Sequence, residues 1–500
     1  MLTANIIPLF VVIPLAGAFL VSLLGKKIKR LPDSIGVIAS LGLCVLSLLC
    51  VQVYNSFGML TYSVGAWRPP LGIGLVLDGL TVLMLVVVNL VTFCVTLYAI
   101  NYMERFTAKW KFYALFLLMV AGMNGVIITG DLFNLFVFLE IAAVASYALV
   151  AFGTERNELE AAFKYAVMGS VGSLFVLLGI AILYSYTSTL NMADMAGVLS
   201  KQGPKNIVLL VSVLFIMGLG LKAALVPFHA WLPDAHPSAP APISAMLSGV
   251  LIKSLGIYTL CRIFYNVIGL TPAISAIFMF LGTLSMVIGG ILALGQWDFK
   301  RLLAYSSISQ IGYVILGIGL GTPLGILGGL FHLFNHSLFK SLLFLNSGAV
   351  EYATGTRDLK QMGGLSSKMP ATTVTTMIGS MSIAGIPPFN GFWSKLLIIA
   401  ATVQAGRYGY AVWAVLVSIL TLAMYLKVMK YGFYGGLKEK LAKIKEVPFF
   451  MQLSMWILAL GCIVGGILLM TGMSEIFLIP ARDALLQGTK YAAVVFKMLR

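Results

Sequence analysis

Four lysines stand where an apolar chain tolerates charge least: Lys222 in the run 207–226, Lys253 in 242–263, Lys340 in 324–346 and Lys395 in 389–402. Glu140, inside the run 132–152, supplies an opposite charge. Burial disfavours an ammonium and a nearby carboxylate restores it. A lysine whose carboxylate partner or water access changes therefore gains and loses a proton near neutral pH. Glu140 and Lys222 suit such a switch; a static ion pair that only fixes packing is the alternative. Lys253 has no acid in its own run. It reads as a central relay, or else as a lysine facing a neighbouring subunit's acid.

His332, His336 and Lys340 follow one another at intervals of four, which places all three on one helical face. Histidine titrates near physiological pH and can both give and accept a proton, so the first reading is a proton wire. The second is histidines satisfied by backbone or by Ser/Thr partners. A metal site would want carboxylate or thiolate ligands at ligand spacing, and the sequence offers none, so no metal is expected. Lys395 lies seven residues past Pro388 and reads as a terminal proton gate or as a lysine snorkelling to an interface. His229, Asp234 and His236 follow Pro227. They are expected near the cytoplasmic surface, as a proton-uptake group or as surface caps. Asp131 and Lys164 read as helix-end or loop contacts.

The elements that must position these residues follow from composition. The chain has 500 residues, 60% hydrophobic and 10% charged, and a mean hydropathy of +1.00. No soluble domain of this length has that profile. The fold class expected is an all-α polytopic membrane protein, because the apolar runs have the roughly 20-residue length of a membrane-crossing helix. Barrel strands would be shorter and would alternate. About 14 spans are expected, near 4–25, 33–54, 77–100, 112–130, 132–152, 161–185, 206–226, 242–265, 272–295, 301–320, 324–346, 371–402, 408–434 and 450–472.

The formal charge of +16 concentrates in connecting segments. One side receives Lys26, Lys27, Lys29, Arg30, Arg105, Lys109, Lys111, Arg156, Lys300, Arg301, Arg357, Lys360, Lys368, Lys438, Lys440, Lys443 and Lys445. The other receives mainly Arg68, Lys201, Lys205 and Arg407. Short basic loops stay cytoplasmic, so the alternation predicts an even number of crossings of the inner (cytoplasmic) membrane with both termini outside. Residues 475–500, with Arg482, Lys490, Lys497 and Arg500, are expected to form a short amphipathic helix along the interface. The first apolar run has its basic cluster behind it and reads as a span, not a signal peptide.

Two spans are interrupted by proline, the seventh at Pro227 and the twelfth at Pro387 and Pro388. Both breaks carry Pro-Phe, and aligning them sets Asp234 opposite Lys395. Five spans separate them, which suggests two inverted five-helix repeats with two broken helices, the arrangement that marks a transport site near mid-depth. A pair of ordinary proline kinks is the plainer alternative. The expected divisions are 1–111, a three-helix segment; 112–265, the first half-channel; 272–434, the second; and 450–500, a last helix with its tail. The five cysteines, Cys44, Cys50, Cys94, Cys261 and Cys462, show no CxxC spacing. The chain also lacks the phosphate-binding GxxxxGK[ST] loop, GxGxxG and iron–sulfur spacing, so no cofactor and no redox or hydrolytic site of its own is expected.

These residues resemble the antiporter-like subunits shared by respiratory complex I, Mrp-type sodium/proton antiporters and membrane-bound hydrogenases. The resemblance runs through the tract from Leu132 to Glu140, the tract Lys222-Ala223-Ala224-Leu225-Val226-Pro227-Phe228-His229 and on to His236, and Lys253. It continues through Asp298 to Gln310, His332 to Lys340, and Gly385 to Lys395. It implies a fourteen-helix channel in which Glu140 and Lys222 form a coupling pair, Lys253, His332, His336 and Lys340 a hydrated axis, and Lys395 the exit-side residue. It also implies membrane subunits as partners, H⁺ as the ion moved with Na⁺ as a second candidate, and no nucleic acid. The chain resembles the antiporter-like component named D in Mrp complexes, and its hydrogenase counterpart, more than it resembles the longest such chain of complex I. The expected function is that of a proton-translocating member of such a complex, any catalysis residing in partner subunits. Its alternatives are a proton-pumping component of a complex I-type oxidoreductase, a stand-alone transporter of a small solute, and a structural component with an inactive channel.

Overall fold

The computed structural model describes residues 4–67, 71–202 and 205–499. Arg68 and Arg500, two of the basic residues named above, lie outside the described residues, as do the side chains of Lys205 and Lys497.

The chain is an all-α polytopic membrane protein. In chain order its principal helices are α1 (Leu9–Leu24), α2 (Leu31–Phe57), α3 (Gly79–Tyr102), α4 (Lys109–Ile128), α5 (Leu132–Val150), α6 (Arg156–Thr187), α7 (Met192–Gln202), α8 (Lys205–Lys222) and α9 (Leu232–Ser238). There follow α10 (Ala241–Val267), α11 (Pro272–Leu294), α12 (Phe299–Gly319), α13 (Pro323–Thr354), α14 (Pro370–Ala384) and α15 (Asn390–Gln404). The last are α16 (Tyr408–Tyr434), α17 (Phe449–Leu469), α18 (Leu478–Leu486) and α19 (Tyr491–Leu499). Among the described residues, 11 helices are long and apolar enough to cross a membrane. The expected runs start cleanly because polar residues cap them. Asp78, Asp131 and Asp298 each accept a backbone N–H three residues on, at 2.8–2.9 Å.

Burial separates a centre from a periphery. The most apolar stretch of α10 is wholly buried and that of α12 is 94% buried, whereas those of α1 and α17 are 33% buried. The outer helices turn Phe19, Leu23, Phe163, Leu174, Phe280 and Leu460 outward. In a membrane these are lipid-facing or partner-facing positions rather than faults in packing. Where α11 meets α12 the backbones approach closely. A Cβ on Gly282 would stand 2.8 Å from Leu316 N, so only a residue without a side chain fits.

Three features depart from the expectations. Leu60–Ser63 and Gly74–Leu77 pair as a small antiparallel hairpin, which hydropathy does not reveal. The tail is not one helix but two short ones, α18 and α19, packed on the protein. Leu478, Ala481 and Leu485 are fully buried, and Asn266 Nδ2 donates to Ala484 O at 2.9 Å. The apolar face of α18 is covered by α3 and α13, and that of α19 by α7. Finally, α13 runs eight residues beyond the expected end at 346, to Thr354, because ion pairs hold its last polar turns.

Candidate functional site

The first break begins immediately after Lys222, the last residue of α8. Its side chain, 4% exposed, reaches α5, where Nζ lies 3.6 Å from Glu140 Oε1 and donates to Tyr147 Oη at 3.3 Å. Ser173 of α6 donates to the same carboxylate oxygen. Glu140 thus has two competing partners, one charged and one neutral. The backbone groups freed by the break are taken up locally: Trp231 Nε1 donates to Leu221 O at 3.1 Å, and Val226 N to Ser285 Oγ at 2.9 Å. This is how irregular backbone becomes tolerable at membrane depth.

The three residues after the break part company. Asp234 stays half-exposed and pairs with Lys164 at 3.2 Å and Arg301 at 3.4 Å, a surface contact of the kind expected for it and for Lys164. His229 is half-buried. His236 contradicts the expectation of a surface position: it is fully buried, stacked on Phe344 at 4.6 Å, and neither ring nitrogen has a partner among the described residues. The reason is helical spacing, since Leu232, Ala235 and His236 form the inward face of α9 against α12.

Lys253 sits on α10 where the helix winds in π-form over Leu247–Leu251 and Lys253–Tyr258. Its ammonium is fully buried and donates to Ser248 O at 2.5 Å and Gly249 O at 2.6 Å. That removes the reading in which it faces a neighbouring subunit's acid. Wider π-turns loosen the backbone ladder and are frequent at functional positions. Gly256, three residues on, packs against Ala223, so the segments bearing Lys222 and Lys253 touch.

From Lys253 a polar track continues across the interior. Ser248 Oγ meets Ser307 Oγ of α12 at 2.6 Å. The neighbouring Ser306 takes a hydrogen bond from Lys340 and lies 3.0 Å from Tyr425 Oη. Lys340 also donates to Leu303 O at 2.7 Å. One turn back along α13 is His336, whose ring nitrogens have no partner among the described residues, and then His332, with ring centroids 6.3 Å apart. His332 Nδ1 meets Ser394 Oγ of α15 at 2.9 Å, and Ser394 adjoins Lys395. Lys395 donates to Ile383 O at 2.8 Å, is 3% exposed, and so does not snorkel outward. The second break is clasped by Asn390, which donates to Asn335 Oδ1 at 2.9 Å and accepts from Ser382.

Sequence reasoning missed several members of this network. Tyr147 carried a signal, lying seven residues from Glu140 and so on the same face of α5. Ser173, Ser306 and Tyr425 carried none, because their roles depend on which helices meet. Two ion-pair clusters were also missed. Glu351 of α13 pairs with Lys300 at 3.0 Å and Arg357 at 3.7 Å. Asp78 accepts from Arg262 at 2.7 Å, fully inside the protein. No group of three or more His, Cys, Asp or Glu among the described residues is placed to hold a metal ion.

Chemically, Lys222, Lys253, Lys340 and Lys395 share the interior with His236, His332 and His336, and among the described residues the one carboxylate paired with any of these lysines is Glu140, at Lys222. Charges so placed interact strongly because the surrounding dielectric is low. The chemistry available is proton transfer among bases that cannot all be charged at once.

Comparison with known proteins places the chain as a whole. Residues 129–421 match the model of the NADH:quinone oxidoreductase/Mrp antiporter transmembrane family, and residues 69–113 match that of the complex I chain 5 N-terminus. The chain is 36% identical to the D component of the Na⁺/H⁺ antiporter of Alkalihalophilus pseudofirmus, over 87% of this chain and 88% of that one. It is also 36% identical to the N component of the NADH-quinone oxidoreductase of Desulforudis audaxviator, over 93% and 96%. Among solved structures, a chain of the Mrp complex from Dietzia sp. superposes with a TM-score of 0.92 at 28% identity, covering 99% of this chain and all of that one. A chain of the archaeal membrane-bound sulfane sulfur reductase does so with a TM-score of 0.89 at 32% identity, over 97% and 99%. With more than half its length matched by the family model and its whole architecture shared with these relatives, the chain belongs to the NADH:quinone oxidoreductase/Mrp antiporter transmembrane family.

Proposed function

We propose that this chain is a proton-translocating, antiporter-like subunit of a multisubunit membrane complex. Protons move along Glu140, Lys222, Lys253, His332, His336, Lys340 and Lys395, and the Glu140–Lys222 pair couples that movement to neighbouring subunits. The observation that carries this reading is the buried polar track itself, in which Lys253 of α10, His332 and Lys340 of α13 and Lys395 of α15 are held by serine hydroxyls and backbone carbonyls. A cation in a membrane interior costs at least ~3 kcal/mol, and a chain that merely spanned the bilayer would have no use for several.

The same reading takes the chain to cross the membrane fourteen times, with 112–265 and 272–434 as inverted half-channels flanked by 1–111 and 450–500, and with both termini outside an inner membrane. The broken pairs α8/α9 and α14/α15, each interrupted at a Pro-Phe, support the repeat. His236, buried beside this track, fits proton uptake better than Asp234, whose charge is engaged by Lys164 and Arg301. A second parent complex, of the NADH:quinone oxidoreductase type, is favoured by the longer coverage of the Desulforudis audaxviator relative.

The test is proton flux in vesicles carrying the intact complex with Lys222→Ala, Glu140→Ala or Lys253→Ala. Loss of flux with the complex still assembled is expected. Unchanged flux would leave only the inactive-channel reading, and solute-coupled flux by the chain alone would favour a stand-alone transporter.

A further inference from the structure

The turn between α1 and α2 packs beside the segment joining α3 to α4, and the two enclose a cleft of about 1390 Å³. Its rim carries Lys26, Lys27, Lys29 and Arg30, all exposed and, among the described residues, without an ion-pair or side-chain hydrogen-bond partner. Lys109 also lines the cleft, but its charge is engaged by Asp33 at 2.8 Å. Glu104 is the other acid there, so four free cations face one free carboxylate. The inner wall is apolar, formed by Val37, Leu97, Ile100 and Trp110, and Leu97 lies well inside the end of α3.

A basic loop between two membrane helices has an ordinary explanation in the orientation of the helices. Orientation needs charge alone; it does not need a recess, nor a greasy wall beneath the charges. A rim of cations above an apolar wall at a membrane surface has the two-part chemistry of one ligand class. We propose that this cleft binds an acidic phospholipid, its phosphate among Lys26, Lys27, Lys29 and Arg30 and an acyl chain against Leu97 and Ile100. A soluble phosphate would satisfy the rim but leave the wall unused, and an acidic protein segment would do likewise. The site shares no residue with the Glu140–Lys395 track and does not rest on the function proposed above.

The experiment is native mass spectrometry of the assembled complex released from vesicles of phosphatidylcholine mixed with phosphatidylglycerol or cardiolipin. Wild type should retain the acidic lipids in preference to phosphatidylcholine. The combined variant Lys26→Gln, Lys27→Gln, Lys29→Gln and Arg30→Gln should lose at least about tenfold of that retention. Because those cations also orient the helices, Ile100→Trp provides a second variant that fills the wall and keeps every charge, and it should lose retention as well. Lys438→Gln with Lys440→Gln and Lys443→Gln, in another basic loop, should retain lipid as wild type does. The proposal is overturned by equal retention in Ile100→Trp and wild type, by an equal drop in the distant-loop variant, or by retention of phosphatidylcholine as strong as that of the acidic lipids. It is overturned too if the cleft takes up inorganic phosphate with no lipid retained.

Discussion

Glu140 Oε1 lies 3.6 Å from Lys222 Nζ, yet the two side chains are unequally covered, 29% exposed on the glutamate and 4% on the lysine. The acid, on α5, is partly open to its surroundings. The base is inside, at the end of α8 where the helix gives way. Anything that draws the carboxylate away leaves the lysine buried without its counter-charge, a state relieved by proton loss.

Glu140→Gln keeps an acceptor for Ser173 but removes the charge opposite Lys222. Proton flux should fall to background in vesicles, with the complex assembled. The stability loss should be about 2 kcal/mol, less than the 3–5 kcal/mol of a fully enclosed pair because the acid is partly exposed. Thermal unfolding of the variant complex measures the second part.

Tyr147→Phe removes only the neutral partner of Lys222, a hydrogen bond of 3.3 Å. The cost should be about 1 kcal/mol. Flux should be slowed rather than abolished, since the Glu140 carboxylate remains. Loss as complete as in Glu140→Gln would show that the phenol is as necessary to the lysine as the acid.

What could be read before folding was the set of apolar runs, the proline breaks and the lysines out of place, because each is local along the chain. Glu140 and Lys222 could be named but not joined, since contact between α5 and α8 depends on tertiary packing. The serines show the same limit more sharply. Ser307 and Ser394 sit among many similar residues, and only the approach of α10 to α12 and of α13 to α15 gives Ser307 the hydroxyl of Ser248 and Ser394 the ring of His332. His236 departs from its expected surface position because nearness to a break is not nearness to water; the inward face of a short helix decides its burial. The tail shows a related limit: an amphipathic face does not say whether lipid or protein will cover it.

Gly256→Ala tests the contact between the segments bearing Lys222 and Lys253. The added Cβ would stand 2.6 Å from Ala223 Cα and 2.7 Å from its nitrogen, and backbone cannot turn aside as a side chain can. The segments must separate, at a cost of about 1–3 kcal/mol or more. The unfolding midpoint should drop and flux should fall with it, although no ionisable group has been touched.

Asn390→Ala tests the clasp across the second break. It removes the donor to Asn335 Oδ1 and the acceptor for Ser382, leaving two buried polar groups unsatisfied at about 1–3 kcal/mol each. Asn390 precedes Ser394 and Lys395 on the same short helix, so the His332–Ser394 contact should loosen as well. A lowered unfolding midpoint with unchanged flux would confine the clasp to a structural role.

Lys253→Met separates a working lysine from a structural one by sign. The wild-type ammonium is fully enclosed, satisfied only by Ser248 O and Gly249 O, with no carboxylate in contact among the described residues. Methionine has similar length and flexibility and carries no desolvation penalty. Replacing buried ionic groups by apolar ones of similar volume is often neutral or stabilising, by about 1–4 kcal/mol. If Lys253 is retained for proton transfer, the variant complex should unfold at the same or a higher temperature while flux is lost. A lysine retained to hold α10 in its π-form would give the reverse, a lower midpoint with flux preserved in the fraction that assembles, so one pair of measurements on one variant decides between them.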